Sequence, residues 1–142
     1  MPGPRPHGNI PVGAAARQPS ARCRSIVHEV EEIARTFADK RLNLSDIYKK
    51  ASVGPEMIRF AFRAVHRRSP RRFLHDQRLR AVRAELRRAT SGATVTHIAT
   101  SYGFVELGRF AAQYRAMFGE NPSVTLRHAL RRQAAKDIEE KR

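Results

Sequence analysis

The sequence predicts an all-α fold of about seven helices. Two copies of a unit made of a short helix, a tight turn and a longer helix are joined by one long helix. Three observations predict it. Apolar residues recur at helical spacings along most of the chain, and no stretch of strand period has any length. Ser69-Pro70 and Asn121-Pro122 mark helix starts, because proline's missing N–H costs nothing in a first turn. The chain also repeats itself: Leu44, Ile47, Ala51 and Val53 fall on Val95, Ile98, Tyr102 and Phe104 at an offset of 51 residues. After one inserted residue, Ile58, Phe62, His66, Ser69 and Pro70 fall on Phe110, Tyr114, Phe118, Asn121 and Pro122 at an offset of 52.

Residues 1–19 read as a flexible basic arm; their most apolar stretch, Ile10 to Ala16, is broken by Pro11 and Gly13 and is no secretory signal. From Ala21, Ile26, Val30, Ile33, Ala34 and Phe37 form one helical face. Glu29, Glu31 and Glu32 make the rest of this helix acidic, which suggests a helix that covers the core and points away from any polyanion. Asn43 with Asp46 three residues on reads as a capping box for a short helix to about Ala51. Pro55 opens the next helix, with Ile58, Phe62 and Val65 on its buried side. Ser69-Pro70 opens the long helix, about 70–89, whose stripe is Leu74, Leu79, Val82 and Leu86. Thr94 caps a short helix through Ile98 to Ser101, Tyr102-Gly103-Phe104 is the turn, and a helix from about Glu106 to Phe118 is closed by Gly119. Asn121-Pro122 starts the last helix, and residues 133–142 read as a charged tail.

The chain has 142 residues, enough for one domain or two very small ones sharing a core, and not for a large catalytic domain plus a binding module. Lys and Arg number 28 against 13 Asp and Glu, a net charge of +15, which points to a polyanion as partner. Cys23 is the only cysteine, so neither an internal disulfide nor a cysteine-based zinc site is available, and the composition suits a reducing cytoplasm. No segment approaches the roughly 18 apolar residues of a membrane span. The six histidines (His7, His28, His66, His75, His97, His128) form no metal-ligand pair of the HExxH kind, and no glycine-rich phosphate loop is present. Neither an enzyme, a metal nor a cofactor is expected.

A short helix, tight turn and second helix is the helix-turn-helix arrangement, whose second helix lies in the DNA major groove. From Met57 to Thr90 eleven arginines face only Asp76 and Glu85, a net charge of +9 over the first such helix and the linker. Arginine forks onto phosphates and guanine edges. On charge alone, a nonspecific nucleoid or RNA-binding protein remains the alternative.

Residues 95–127, VTHIATSYGFVELGRFAAQYRAMFGENPSVTLR, resemble the C-terminal signature of the AraC/XylS family of transcription regulators. Ile98-Ala99, Gly103-Phe104, Phe110, Tyr114, Phe118-Gly119 and Pro122 carry the resemblance. Leu107 to Ala111 and the ending Pro122-Ser123, Thr125 to Arg127 resemble the XylS-like branch most. Ala51, Val53, Ile58, Phe62, Ser69-Pro70, Phe73-Leu74, Arg78-Leu79 and Leu86 fit the family's first half, and the likeness covers about Ala21 to Arg132. It implies a homeodomain-like pair of helix-turn-helix subdomains, about 43–68 and 94–119, within a DNA-binding domain of about 20–132. It implies double-stranded operator DNA as the partner, with RNA polymerase beside it, on the bacterial nucleoid. Such proteins usually carry an N-terminal effector domain; this chain is either a stand-alone DNA-binding protein or a piece of a longer one.

Matching the family's recognition positions gives Glu56, Arg59, Phe60 and Arg63 in the first half, and Leu107, Gly108, Arg109, Ala111 and Ala112 in the second. The family often has arginine where Phe60 and Ala112 stand, leaving Arg59 and Arg109 as substitutes. A surface salt bridge of Arg109 with Glu106 or Glu120 is the competing reading. The glycine that usually closes the first recognition helix is Arg67 here, a weaker cap. Phosphate candidates are Arg63, Arg67, Arg71 and Arg72, with the helix N-termini at Ser45, Ser69, Thr94 and Ser123. Arg78 sits inside an apolar stripe, which points to a structural ion pair. Two recognition helices in one chain suggest binding as a monomer.

Overall fold

A computed structural model of the chain describes residues 18–38 and 42–142. The basic arm read over 1–19 falls almost wholly outside them. Among the described residues there are seven helices and no strand: α1 (Ala21–Thr36), α2 (Leu44–Lys50), α3 (Pro55–His66), α4 (Pro70–Arg87), α5 (Val95–Ser101), α6 (Leu107–Phe118) and α7 (Pro122–Glu140). Local chemistry sets most of the starts. Ser20, Ser69 and Thr94 each accept a backbone N–H of the first turn, and Asn43 and Asp46 close a reciprocal capping box. Pro55, Pro70 and Pro122 stand at the first helical positions. α7 continues through most of the residues read as a charged tail, with Gln133 donating to Asp137 one turn on at 3.0 Å.

Two cores result. Cys23, Ile26, Val27, Val30, Leu42, Ile47, Ile58, Ala61, Phe62 and Leu74 form the first; Leu79, Val82, Leu86, Ile98, Ala99, Phe110 and Tyr114 form the second. The stripe expected along the long helix is therefore two stripes. Leu74 serves one core and Leu79 onward the other, because five residues turn a helix by about 140° beyond a full turn. α4 thus packs against α2 and α3 on one side and against α5 and α7 on the other. Phe37, placed on the apolar face of α1 by spacing, is instead the residue after the helix, 43% exposed, with Lys50 Nζ 4.0 Å above its ring.

Candidate nucleic-acid interface

The first helix-turn-helix is held in place by α1. Ser52, in the turn between α2 and α3, donates its backbone N–H and its hydroxyl to the two carboxylate oxygens of Glu29, both at 2.7 Å. Glu31 meets His66 Nε2, on the last turn of α3, at 2.9 Å. Only Glu32 turns to its own helix, pairing with Arg35. The acidic helix covers the first core, as expected, and does more: two of its three carboxylates also bind the turn and the end of α3. Sequence reasoning missed both, because contacts 23 and 35 residues apart leave no periodic signal.

On α3, Glu56, Arg59, Phe60 and Arg63 are all exposed, and Arg67 follows as the cap residue. Arg67 has φ 55°, the one non-glycine in the left-handed region among the described residues, where glycine would sit without strain. The chain's departure from the family's glycine at this position thus places an arginine in the conformation glycine favours. On α6, Gly108, Arg109 and Ala112 are exposed, whereas Ala111 is half-buried and Leu107 packs partly into the second core. Leu107 therefore leaves only part of its side chain open to a partner. Arg109 Nε lies 3.5 Å from Glu106 Oε2, the surface pair weighed above. Both groups are well exposed, and such a pair contributes roughly 0–1 kcal/mol, so a guanine or phosphate can displace it. Val105, just before α6, is 85% exposed, and the repeat pairs it only with Gly54, so nothing in the sequence marked it.

The arginine run divides into two kinds. Arg68 and Arg72 share the buried Asp76, at 2.6 and 3.5 Å. Arg78 donates to the Leu42 carbonyl oxygen at 2.8 Å, so its structural partner is a backbone acceptor rather than a carboxylate, and burial lowers its pKa from the ordinary guanidinium value. Arg83 lies over the Phe118 ring at 4.7 Å. The remaining arginines of the run, Arg59, Arg63, Arg67, Arg71, Arg80, Arg87 and Arg88, are exposed. Of the phosphate candidates, Arg67 and Arg71 present their charge openly and Arg72 shares its charge with Asp76.

The helix N-termini differ in the same way. α4 at Ser69, α5 at Thr94 and α7 at Ser123 have no acidic residue in the first turn and suit an anion. At Ser45 the α2 terminus already carries the Asp46 carboxylate, bonded to the Asn43 N–H at 3.1 Å, which opposes a phosphate there.

Behind α6 the support is aromatic. Phe104, Phe110, Tyr114 and Phe118 follow one another with ring centroids 4.7–5.8 Å apart. The Tyr114 hydroxyl is 2.8 Å from Thr125 Oγ1, which donates to Glu120 at 2.6 Å; burial raises the Tyr114 pKa. Burial, with a hydrogen bond to Glu85, pushes Tyr102 up to about 12, tying the end of α5 to α4.

Residues 47–128 match the helix-turn-helix domain family. A solved structure, a probable AraC family transcriptional regulator from Rhodopseudomonas palustris, superposes with a TM-score of 0.66 at 33% identity, over 75% of this chain and 98% of that one. The chain belongs to the AraC/XylS family. Among curated AraC/XylS-like relatives, an XylDLEGF operon transcriptional activator of Pseudomonas putida is 34% identical over 89 residues, 62% of this chain and 28% of the relative. The XylDLEGF operon transcriptional activator 2 of the same organism is 32% identical over 71% of this chain and 62% of its own length. A probable thc operon regulatory protein of Rhodococcus erythropolis is 29% identical over 78% of this chain and 33% of its own. The chain thus spans between about a quarter and just under two thirds of the length of these relatives. What it shares with the family is the helix-turn-helix pair and the helix between them. No helix among the described residues is long and apolar enough to cross a membrane.

Proposed function

We propose that the chain regulates transcription by binding promoter DNA sequence-specifically as a monomer, with α3 and α6 in successive major-groove segments. The observation that carries this reading is the presence of two helix-turn-helix units in one polypeptide, each presenting exposed residues on its second helix. Arg59, Arg63 and Arg109 are its hydrogen-bonding base readers, while Gly108 and Ala112 keep α6 thin enough for close approach. Arg67, Arg71 and the N-termini of α4, α5 and α7 anchor phosphates. The relatives named as activators support a contact with RNA polymerase once the chain is on DNA.

Selection of bound duplexes from a random pool, followed by titration of the winner against unrelated DNA, tests this. A specific regulator prefers its site by ~10³ or more at physiological salt, with one chain per site. A preference near unity would favour the nonspecific nucleoid reading, and a requirement for two chains on a palindrome would overturn the monomer.

A further inference from the structure

Phe60 is out of place by ordinary criteria. It lies in the middle of α3 with 63% of its surface exposed, one residue after Arg59 and three before Arg63. The ring belongs to neither core, so its burial energy is not used in folding. Its surroundings narrow the choice of partner. Arg59, Arg63 and Arg67 are all exposed, so this surface attracts a polyanion before it attracts an apolar protein face. The partner must therefore be anionic overall and still offer an apolar point to a side chain at the centre of a recognition helix. In the major groove the 5-methyl group of thymine is that point; the other groups on the base edges are hydrogen-bond donors and acceptors. The equivalent position of the second unit, 52 residues on, is Ala112, also exposed but ending in a single methyl.

We propose that Phe60 reads a thymine 5-methyl group in the half-site bound by α3, making this chain a thymine reader where an arginine would read guanine. The inference rests on α3 being a major-groove helix, as proposed above.

Deoxyuridine tests it, because it differs from thymidine only in lacking that methyl. Each thymine of the selected site is replaced singly by deoxyuridine, and the duplexes are titrated with the full chain and with its Phe60→Ala and Phe60→Leu variants. For the wild type, one or two thymines of a single half-site should be sensitive, each uracil weakening binding about fourfold, the effect of one buried methyl group. Phe60→Ala should bind thymine and uracil duplexes equally at those positions, and Phe60→Leu should keep part of the difference. Because the ring is exposed, both variants should melt with the wild type. If no thymine is sensitive, or if Phe60→Ala remains as sensitive as the wild type, the assignment is overturned. That failure would leave the preference for the selected duplex over random DNA intact, whereas failure of the major-groove reading would abolish the preference itself.

Discussion

In the first helix-turn-helix unit the turn is held from outside, by the Glu29 carboxylate of α1 on the Ser52 N–H and hydroxyl. In the second the turn holds itself. Gly103 takes φ 90°, its N–H returns to Thr100, and the Phe104 N–H returns to Ala99. The two recognition helices end differently too, α3 on Arg67 and α6 on Gly119, although both end residues are left-handed. Behind α3 lies a largely aliphatic core around Phe62; behind α6 lie four aromatic rings and a Tyr114–Thr125–Glu120 network. One backbone plan is reached by different side-chain chemistry, and each unit has its own weak point.

The largest expected effect comes from the aromatic core. Phe110→Ala should cost about 3–5 kcal/mol in urea unfolding, with hydrogen-exchange protection lost first in α5–α7. Equal early loss in α1–α3 would show that α4 fuses the two cores into one cooperative unit.

Next come the turns. Gly103→Ala forces a side chain into the left-handed region and should cost about 1–2 kcal/mol. Glu29→Gln, which weakens an exposed charge-assisted clamp, should cost about 1 kcal/mol or less. Its sharper signature is faster amide exchange at Ser52 with Gly103 unchanged.

Gly108 separates folding from binding. A methyl there would meet nothing within 4 Å, so Gly108→Ala should stabilise α6 by about 0.5–1 kcal/mol while weakening DNA binding. Unchanged affinity would mean that α6 does not approach the groove closely at this point.

The smallest effect is a pH slope at the junction of the halves. His75 of α4 stacks edge-on against Phe104 and hydrogen-bonds Gln113 of α6. Burial lowers its pKa below the ordinary 6.5; Arg72 and Arg78 push the same way and Asp76 opposes them. The unfolded chain therefore takes up the proton first. Stability should be level above pH 6.5 and fall as pH drops from there toward the folded value. Chemical denaturation of wild type and His75→Gln across that window should show the slope only in the wild type.

What the sequence made legible follows from how local each signal is. Helix starts at Asn43, Ser69-Pro70, Thr94 and Asn121-Pro122 could be read because caps and prolines act within four residues. The repeat carried the architecture, since paired apolar positions preserve which face is buried. Contacts between distant segments could not be read. Arg78 on the Leu42 carbonyl, Glu29 on Ser52, and Asp76 drawing in Arg68 and Arg72 depend on which helix faces which. For the same reason the arginine run looked uniform apart from Arg78, although Arg68, Arg72 and Arg83 also serve the fold and Arg59, Arg63, Arg67 and Arg71 stand open. Spacing also put Phe37 on the buried face, because the stripe says nothing about where the helix stops.

The most direct measurement compares Arg109→Ala with Arg71→Ala on matched and mismatched duplexes at several salt concentrations. Arg109→Ala should relax preference at one or two base positions, each by ~1–3 kcal/mol. Arg71→Ala should weaken all sequences alike and reduce the salt slope by about one unit. If Arg109→Ala instead lowers affinity uniformly and leaves base preference intact, its pairing with Glu106 is its role, and α6 does not read DNA through that residue.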